Sequence, residues 1–242
     1  MSVLRPFRNK RNIASFLAML ALAHALAGPA RADAALINAA YALLEVELDA
    51  KLDFETLPRR AEPGIRLDAP MREGLVWLGE RLAGQQVTGE PHDVLQGLPT
   101  APLAIAAGLP GAALSVAHHR GFGSNALFPL GPAGFPALAA RGEGSVALLF
   151  DHGQRAIGLR IHSDYAAPLG AAQPQGTLTL AFYRRDGALI GQVRRRLETG
   201  ITELGFRRSD GMADIAAITV TNDDPGGIAL DDILYQTAPM AF

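Results

Sequence analysis

The sequence predicts an all-β protein, an antiparallel β-sandwich that follows a cleaved signal peptide. Three observations predict this fold class. Short segments of alternating apolar and polar residues recur through the second half of the chain, turn residues separate them, and no long amphipathic helix lies between them. Closely spaced alternating strands are typical of sandwiches and barrels, whereas doubly wound α/β folds need a helix after each strand.

Residues 1–34 have the organisation of a secretory signal peptide. A basic start ending at Arg11 precedes an apolar run from Ile13 to Gly28, and two overlapping small-residue cleavage sites follow at positions 30–32 and 32–34. A retained membrane anchor is the alternative, but the run is shorter than the roughly 20 residues that a spanning helix needs. We therefore expect cleavage at one of these two sites, removing residues up to 32 or 34, and a secreted or periplasmic protein.

The composition excludes several function classes. The sequence has 22 basic and 24 acidic side chains, and residues 1–34 hold five of the basic ones but one acidic one, so the mature chain is mildly acidic. This balance gives no electrostatic reason to bind nucleic acid or an anionic membrane surface. No later segment has about 20 uninterrupted apolar residues, so we expect no membrane span in the mature chain. The absence of cysteine excludes disulfides, zinc–thiolate sites and thiol nucleophiles.

Residues 35–242 are predicted to form one domain whose first half has weak strand signals. Residues 35–50 fit a strand by their alternation and a helix by their composition. Leu52–Thr56 has the pattern of a first strand, and residues 58–143 are expected to be rich in loops because glycine and proline recur there. Within that region, Leu75–Leu78 is predicted to be a short strand that buries Trp77 in the core.

The second half has clear strand signals. Asp151–Gln154 is predicted to be a hairpin turn, and Asp186-Gly187 is the strongest local hairpin signal in the chain. Alternation predicts that Phe182 faces the core, together with Leu178 and Leu180, and that Thr179, Ala181 and Tyr183 face outward, with Tyr183 exposed. The predicted strands cover residues 145–150, 155–162, 177–184, 188–193, 202–207, 215–221 and 228–235.

No catalytic arrangement is evident in the sequence. The Gly-x-Ser-x-Gly and His-Glu-x-x-His motifs are absent, and no glycine-flanked serine lies between a strand and a helix, as a nucleophile elbow requires. The remaining enzyme hypothesis is a secreted hydrolase that uses dispersed carboxylates, such as Glu143, Asp151 and Asp164, because paired carboxylates can hydrolyse glycosides. The absence of a catalytic motif favours a protein without catalytic activity over this hydrolase.

Acidic residues on the first and last predicted strands suggest a structural calcium site. Glu55 lies on the first strand, and Asp231 and Asp232 lie on the last. Calcium takes six to eight oxygen ligands, and a buried carboxylate needs a partner. Consecutive aspartates on a regular strand point to opposite faces, so at most one of them is expected to point inward. An arginine, a shared proton, or an ordinary polar position for both aspartates are the alternatives to calcium.

The sequence also offers candidates for sugar binding. Sugar-binding sheets commonly present exposed aromatic rings, although aromatic residues make up only 6% of this chain. Tyr165 and Tyr183 are the candidate rings, and Asp164 is a candidate polar contact beside Tyr165.

Two segments resemble the first and last strands of jelly-roll modules found in secreted bacterial proteins. They are Leu52-Asp53-Phe54-Glu55-Thr56-Leu57-Pro58 and Gly227-Ile228-Ala229-Leu230-Asp231-Asp232-Ile233-Leu234-Tyr235, and residues 144–235 resemble the body of such a carbohydrate-binding-module-like or lectin-like domain. The resemblance implies that the two strands pair and that Glu55 with Asp231 or Asp232 holds calcium. It also implies an exported, non-catalytic binding or structural module, with glycans or cell-surface polymers as partners.

Overall fold

Strands are the main regular secondary structure of the protein. The structure is a computed structural model that describes residues 36–163 and 175–238. In that part of the chain the helical elements are α1 (Tyr41–Glu47) and a 3-10 helix (Leu138–Ala140), and neither is long and apolar enough to cross a membrane. The strands are β1 (Leu36–Asn38), β2 (Ala50–Leu52), β3 (Ile65–Leu67), β4 (Met71–Glu73), β5 (Val76–Gly79), β6 (Arg81–Leu82), β7 (Gln86–Thr88), β8 (Val94–Gln96), β9 (Ile105–Ala106), β10 (Leu114–His119), β11 (Ser124–Pro129), β12 (Val146–Gln154), β13 (Ala156–His162), β14 (Thr177–Tyr183), β15 (Leu189–Arg196), β16 (Ile201–Arg208), β17 (Ile215–Asn222) and β18 (Ala229–Tyr235).

Two antiparallel sheets form a sandwich. Sheet A has the order β1-β16-β13-β18-β11-β10-β3, with β2 also paired to β18, and sheet B has the order β15-β14-β17-β12-β5-β4. Apolar side chains from both sheets meet between them; Phe182 of sheet B contacts Phe206 of sheet A edge to face, with ring centroids 5.2 Å apart. The predicted antiparallel sandwich is therefore confirmed, and Leu178, Leu180 and Phe182 are fully buried in its core, as alternation predicted.

Two further strand pairs, β6–β9 and β7–β8, lie over the outer face of sheet B. Leu82 and Ile105 of the β6–β9 pair pack against Ala147 and Tyr183, which point outward from sheet B. The β6–β9 pair therefore buries this part of the outer face of sheet B. Region 58–143, expected to be rich in loops, supplies both pairs through strands of two or three residues.

Helix α1 covers part of the outer face of sheet A. Tyr41 and Leu44 lie on one face of the helix and are buried against Ala156 and Leu234. Gly205 allows this close approach, because a side chain there would place its Cβ 2.8 Å from Leu44. Residues 35–50, which fitted either a strand or a helix, thus contain α1 between β1 and β2.

The turn predicted at Asp151–Gln154 is wrong. β12 continues through Gln154 in sheet B, and β13 begins one residue after Arg155 in sheet A, so the chain passes between the sheets there. The register of β12 with β17 shifts between Leu149 and Gln154, and such an irregularity bends the strand towards the second sheet. The Asp186-Gly187 hairpin is confirmed, because the Arg184 N–H donates to the Ala188 carbonyl at 2.8 Å between paired β14 and β15.

The predicted burial of Trp77 is also wrong. Val76 and Leu78 point into the core, so alternation directs Trp77 to the outer face of sheet B, where it is 37% exposed. The Arg72 guanidinium lies 5.5 Å from the centre of its ring.

Candidate ligand-binding groove

A polar groove of about 300 Å³ lies on the outer face of sheet B, beside the part covered by β6–β9. Its floor consists of outward-facing residues of β14, β15 and β17, and the β7–β8 hairpin forms one wall. Its main polar lining residues are Gln85, Asp93, Thr177, Thr179, Tyr183, Gln192, Arg194, Thr219, Thr221, Asn222 and Asp223.

The strand register arranges the floor in cross-strand rows. Arg194, Thr179 and Thr221 are direct neighbours across β15, β14 and β17. Gln192, Ala181 and Thr219 form the next row in the same way. Because direct neighbours on one face of a sheet lie about 5 Å apart, each row spans roughly 10 Å.

The hydroxyl groups of the floor have no partner in the described protein, and Thr177, Thr179 and Thr221 are half-buried, whereas Thr219 is 4% exposed. Within residues 36–163 and 175–238, the side chains of Thr177, Thr179, Thr219 and Thr221 make no hydrogen bond to the protein, and neither does the Gln192 amide. A hydroxyl can both donate and accept, and an amide side chain offers both functions as well. The floor therefore presents a regular set of donors and acceptors.

Tyr183 lies at one end of the groove but is not the exposed ring that the sequence predicted. Its side chain points outward from β14, yet only 5% of the residue is accessible because the β6–β9 pair covers it. Gln85 donates a hydrogen bond of 3.1 Å to the Tyr183 hydroxyl and accepts one from the Leu82 N–H. The ring is thus fixed in a packed position at the end of the groove.

Asp93 attaches the β7–β8 hairpin to the sheet. Its carboxylate accepts hydrogen bonds from the Ser145 N–H at 2.9 Å and the Ser145 hydroxyl at 3.2 Å. Burial raises the pKa of Asp93 to about 6, and the nearby Glu80 carboxylate also raises it. The Asp93 N–H donates in turn to the Glu143 carbonyl at 3.0 Å. These bonds fix the base of the hairpin, and with it the wall of the groove.

The first strand predicted at Leu52–Thr56 is wrong in its bounds, because the strand is β2 (Ala50–Leu52) and residues 53–57 form a turn. β2 does pair with the last strand, β18, with Leu52 opposite Ile233. Glu55 lies in the turn after β2, where its carboxylate accepts a 2.6 Å hydrogen bond from the Asn125 N–H. Asp231 accepts a 2.5 Å hydrogen bond from the hydroxyl of Ser124, the preceding residue of β11. Glu55 and Asp231 therefore bind neighbouring residues of one strand.

The two aspartates do not point to opposite faces of the sheet. Asp232 has φ of 48°, and the register of β18 with β13 shifts there, as in a β-bulge. The extra residue brings Asp232 to the outer face, where Lys51 and Arg160 bind its two oxygens at 2.7 and 2.5 Å. Asp231 is 2% exposed on the same face, and burial raises its pKa to about 7.

The calcium site stays a prediction. Lys51 and Arg160 take both oxygens of Asp232, so basic side chains balance this carboxylate, and Glu55 and Asp231 are the carboxylates left to bind an ion. The described residues contain no group of three or more acidic, histidine or cysteine side chains arranged to hold a metal.

The other candidate residues from the sequence are two paired carboxylates outside the groove, Asp151 and Glu143, and two residues that the structure does not describe. Asp164 and Tyr165 fall outside the described residues. Asp151 is paired with Arg72 at 2.6 Å, and Glu143 is paired with His92. Burial raises the pKa of Glu143 to about 7. Neither carboxylate lines the groove.

A second polar cluster is closed to solvent. His119 Nε2 and His162 Nδ1 lie 2.6 Å apart on the outer face of sheet A, and His119 Nδ1 lies 3.1 Å from a Glu62 oxygen. Both histidines are buried, and burial lowers the pKa of His119. Phe122 packs against both rings, so the cluster is a packing element.

The sequence contained an unused signal for the groove. Thr177-Leu178-Thr179 and Thr219-Val220-Thr221 each place threonine on the outward positions of a strand. The two segments lie on the neighbouring strands β14 and β17, with Thr179 opposite Thr221. Strand pairing is not readable from sequence spacing, so the convergence of the two motifs was not predicted.

The chain matches no protein-family model and no curated protein sequence. A search of solved structures finds a likeness to the crystal structure of a carbohydrate-binding module, CBM28, described as specific for non-crystalline cellulose. The identity is 15%, the alignment covers 52% of this chain and 82% of that one, and the TM-score is 0.30. At these values the likeness carries no argument about function, which we base on the groove.

Proposed function

We propose that this chain is an exported, non-catalytic module that binds a polysaccharide in the groove on sheet B. The observation that carries the proposal is the floor of threonine hydroxyls, with the Gln192 amide, that make no hydrogen bond within the described part of the protein. Sugars present many hydroxyl groups that both donate and accept, so such a floor complements them.

The size of the groove suits a segment of a polymer. Its volume of about 300 Å³ is at the lower end of the range for small-molecule pockets. We therefore expect about one or two sugar units to contact the floor while the rest of the chain stays in solvent. The signal-peptide pattern of residues 1–34 supports the choice of partner, because an exported protein meets cell-surface and environmental polysaccharides.

Affinity electrophoresis of the purified protein through gels that contain soluble polysaccharides tests the proposal. We expect retardation by at least one polysaccharide and loss of that retardation in the double variant Thr179→Val, Thr221→Val. Valine keeps the shape of threonine but removes the hydroxyl, so the change removes hydrogen bonds without opening a cavity.

Thr56→Val is the control outside the groove, because Thr56 is exposed in the turn after β2 and its hydroxyl donates to Glu73 at 3.1 Å instead of facing the groove. This variant should bind as the wild type does, and all variants should keep the wild-type circular dichroism spectrum. Failure of every polysaccharide to retard the wild type would overturn the proposal, and so would equal retardation of the double variant and the wild type.

A carboxylate-dependent hydrolase is the second candidate. The observation in its favour is that two carboxylates, Asp93 and Asp223, line the same groove, and that the pKa of Asp93 is raised to about 6. Raised carboxyl pKa values are typical of general acids in glycosidases. Measuring the reducing ends released from the bound polysaccharide separates the two functions. We expect none, whereas steady release that Asp93→Asn abolishes would make the protein an enzyme.

A further inference from the structure

We propose that the ligand of the groove is an acidic polysaccharide and that Arg194 and Arg196 bind its anionic groups. This inference rests on the proposed function and narrows the class of polysaccharide.

The two arginines lie on the β15 side of the groove floor, where Arg194 lines the groove and Arg196 extends just beyond its lining. Both are exposed on β15, the edge strand of sheet B, and Arg194 lines the groove directly. Arg194 is paired across the strands with Thr179, and Arg196 with Thr177. Residues two apart on a strand point to the same face about 7 Å from each other. The β15 side therefore presents one guanidinium in the groove and a second just beyond it, beside two hydroxyls that make no hydrogen bond within residues 36–163 and 175–238.

These arginines differ from most others in residues 36–163 and 175–238. Arg72, Arg160 and Arg207, for example, each lie within 3 Å of an acidic side chain. Arg194 and Arg196 have no carboxylate within ion-pair distance in residues 36–163 and 175–238. Two neighbouring like charges without a counter-charge repel each other, and an anionic ligand would relieve this repulsion. A guanidinium also binds a carboxylate or a sulfate through two parallel hydrogen bonds.

The far side of the groove has the opposite character. Asp223 follows β17, two strands away from β15, which corresponds to roughly 10 Å across the floor. One oxygen of its carboxylate accepts a 2.5 Å hydrogen bond from the Thr177 N–H. The other oxygen can accept from a sugar hydroxyl. The groove thus complements a sugar whose charged substituent points to β15 and whose hydroxyl groups point to Asp223.

The mature chain is acidic as a whole, so general charge attraction does not favour a polyanion. Binding of an acidic polymer would have to come from this local pair of arginines. This gives the inference a sharp test, because the charge of the same number of arginines can be removed elsewhere.

The test compares polygalacturonate, its highly methyl-esterified form, dextran sulfate and neutral hydroxyethylcellulose by isothermal titration calorimetry with the purified protein. We expect polygalacturonate to bind and its methyl ester to bind roughly tenfold more weakly, because esterification removes the charge and keeps the sugar. Dextran sulfate shows whether a sulfate group binds as well as a carboxylate group. Binding of polygalacturonate or of dextran sulfate supports an anionic ligand.

The decisive variants are Arg194→Gln with Arg196→Gln, and Arg59→Gln with Arg60→Gln as a control of equal charge. Arg59 and Arg60 are also exposed, and they lie outside the groove. The first pair should weaken binding of the acidic polymer roughly tenfold or more, and the second should change it less than about twofold.

Equal losses in both double variants would overturn the inference, because the attraction would then be non-specific. Binding of the neutral polymer alone, lost in Thr179→Val, Thr221→Val but unchanged in Arg194→Gln, Arg196→Gln, would overturn the inference and leave the proposed function standing. Binding of none of the four polymers would overturn the inference. The proposed function would then be tested by affinity electrophoresis with other soluble polysaccharides.

Discussion

Replacing Asp93 with asparagine is expected to stabilise the protein above neutral pH and to leave its stability unchanged in acid. Asp93 is 5% exposed, and one oxygen of its carboxylate accepts both hydrogen bonds from Ser145. The carbonyl oxygen of asparagine can take that position and keep both bonds. The substitution therefore removes a buried charge, which Glu80 also repels, without breaking the attachment of the β7–β8 hairpin.

The size of the effect follows from the pKa of Asp93, which is raised from 3.8 to about 6. Between these values the folded protein holds a proton that the unfolded chain has released. The free energy of unfolding therefore falls as the pH rises through about 4 to 6, and the full cost is present above about pH 7. A difference of about two pKa units corresponds to about 3 kcal/mol, because one unit is worth about 1.4 kcal/mol. Asparagine has no such cost at any pH.

Urea unfolding of the wild type and Asp93→Asn at pH 4, 6 and 8 measures this difference. We expect equal stability at pH 4 and a gain of up to about 3 kcal/mol for the variant at pH 8, or about 6–12 °C in Tm for a domain of this size. Glu143 also has a raised pKa, so the difference between the two proteins, and not the pH profile of either alone, reports on Asp93.

Ser145→Ala is the matched control, because it removes the hydroxyl that bonds the same carboxyl and the Glu80 carbonyl. It should cost about 1 kcal/mol where Asp93 is protonated and more where Asp93 is ionised, since this hydrogen bond lowers the pKa of Asp93, so its effect with pH has the opposite sign to that of Asp93→Asn. A variant Asp93→Asn that is less stable than the wild type at pH 8 would refute the reasoning. An equal difference between the two proteins at pH 4 and pH 8 would refute it as well.

Three further predictions test the fold, the ion and the export signal. Phe182→Ala should destabilise the protein by about 3–5 kcal/mol, since the ring is fully buried against Phe206; a urea-unfolding loss well under about 2 kcal/mol would contradict its core position. If Glu55 and Asp231 hold calcium, millimolar calcium should raise the Tm of the wild type relative to EDTA but not that of Glu55→Gln; a Tm that calcium does not move would remove the ion. N-terminal sequencing of the exported protein should begin at Asp33 or Ala35, and recovery of Met1 or Ser2 would exclude cleavage.

Alternation was sufficient to predict most of the sandwich. The long strands of the second half each bury one face, so their apolar residues repeat with a period of two and identify the core residues correctly. The covering pairs β6–β9 and β7–β8 could not be found in this way, because strands of two or three residues are too short to show a period. Tyr183 shows the consequence of missing these short strands. The outward direction of its side chain was predicted correctly, but the β6–β9 pair that buries it was not predicted.

The acidic residues show a second limit of sequence reasoning. Strict alternation sends Asp231 and Asp232 to opposite faces, and the bulge at Asp232 brings both to the outer face of sheet A. A bulge with a non-glycine residue at positive φ leaves no pattern in the sequence, because aspartate tolerates that conformation better than most residues. The basic partners of Asp232 were likewise unpredictable, since Arg160 is 72 residues away along the chain.

The arginines of β15 also affect how copies of the protein meet. β15 is an edge strand, and a row of unpaired backbone groups on an edge is a template for a second sheet. In an antiparallel contact between two copies that is centred near Arg195, Arg194 and Arg196 would approach the same residues of the other copy, and charge repulsion would oppose the pairing in that register. A polyanion that covers these charges would remove that protection, so one polymer chain could bring several copies of the protein together edge to edge.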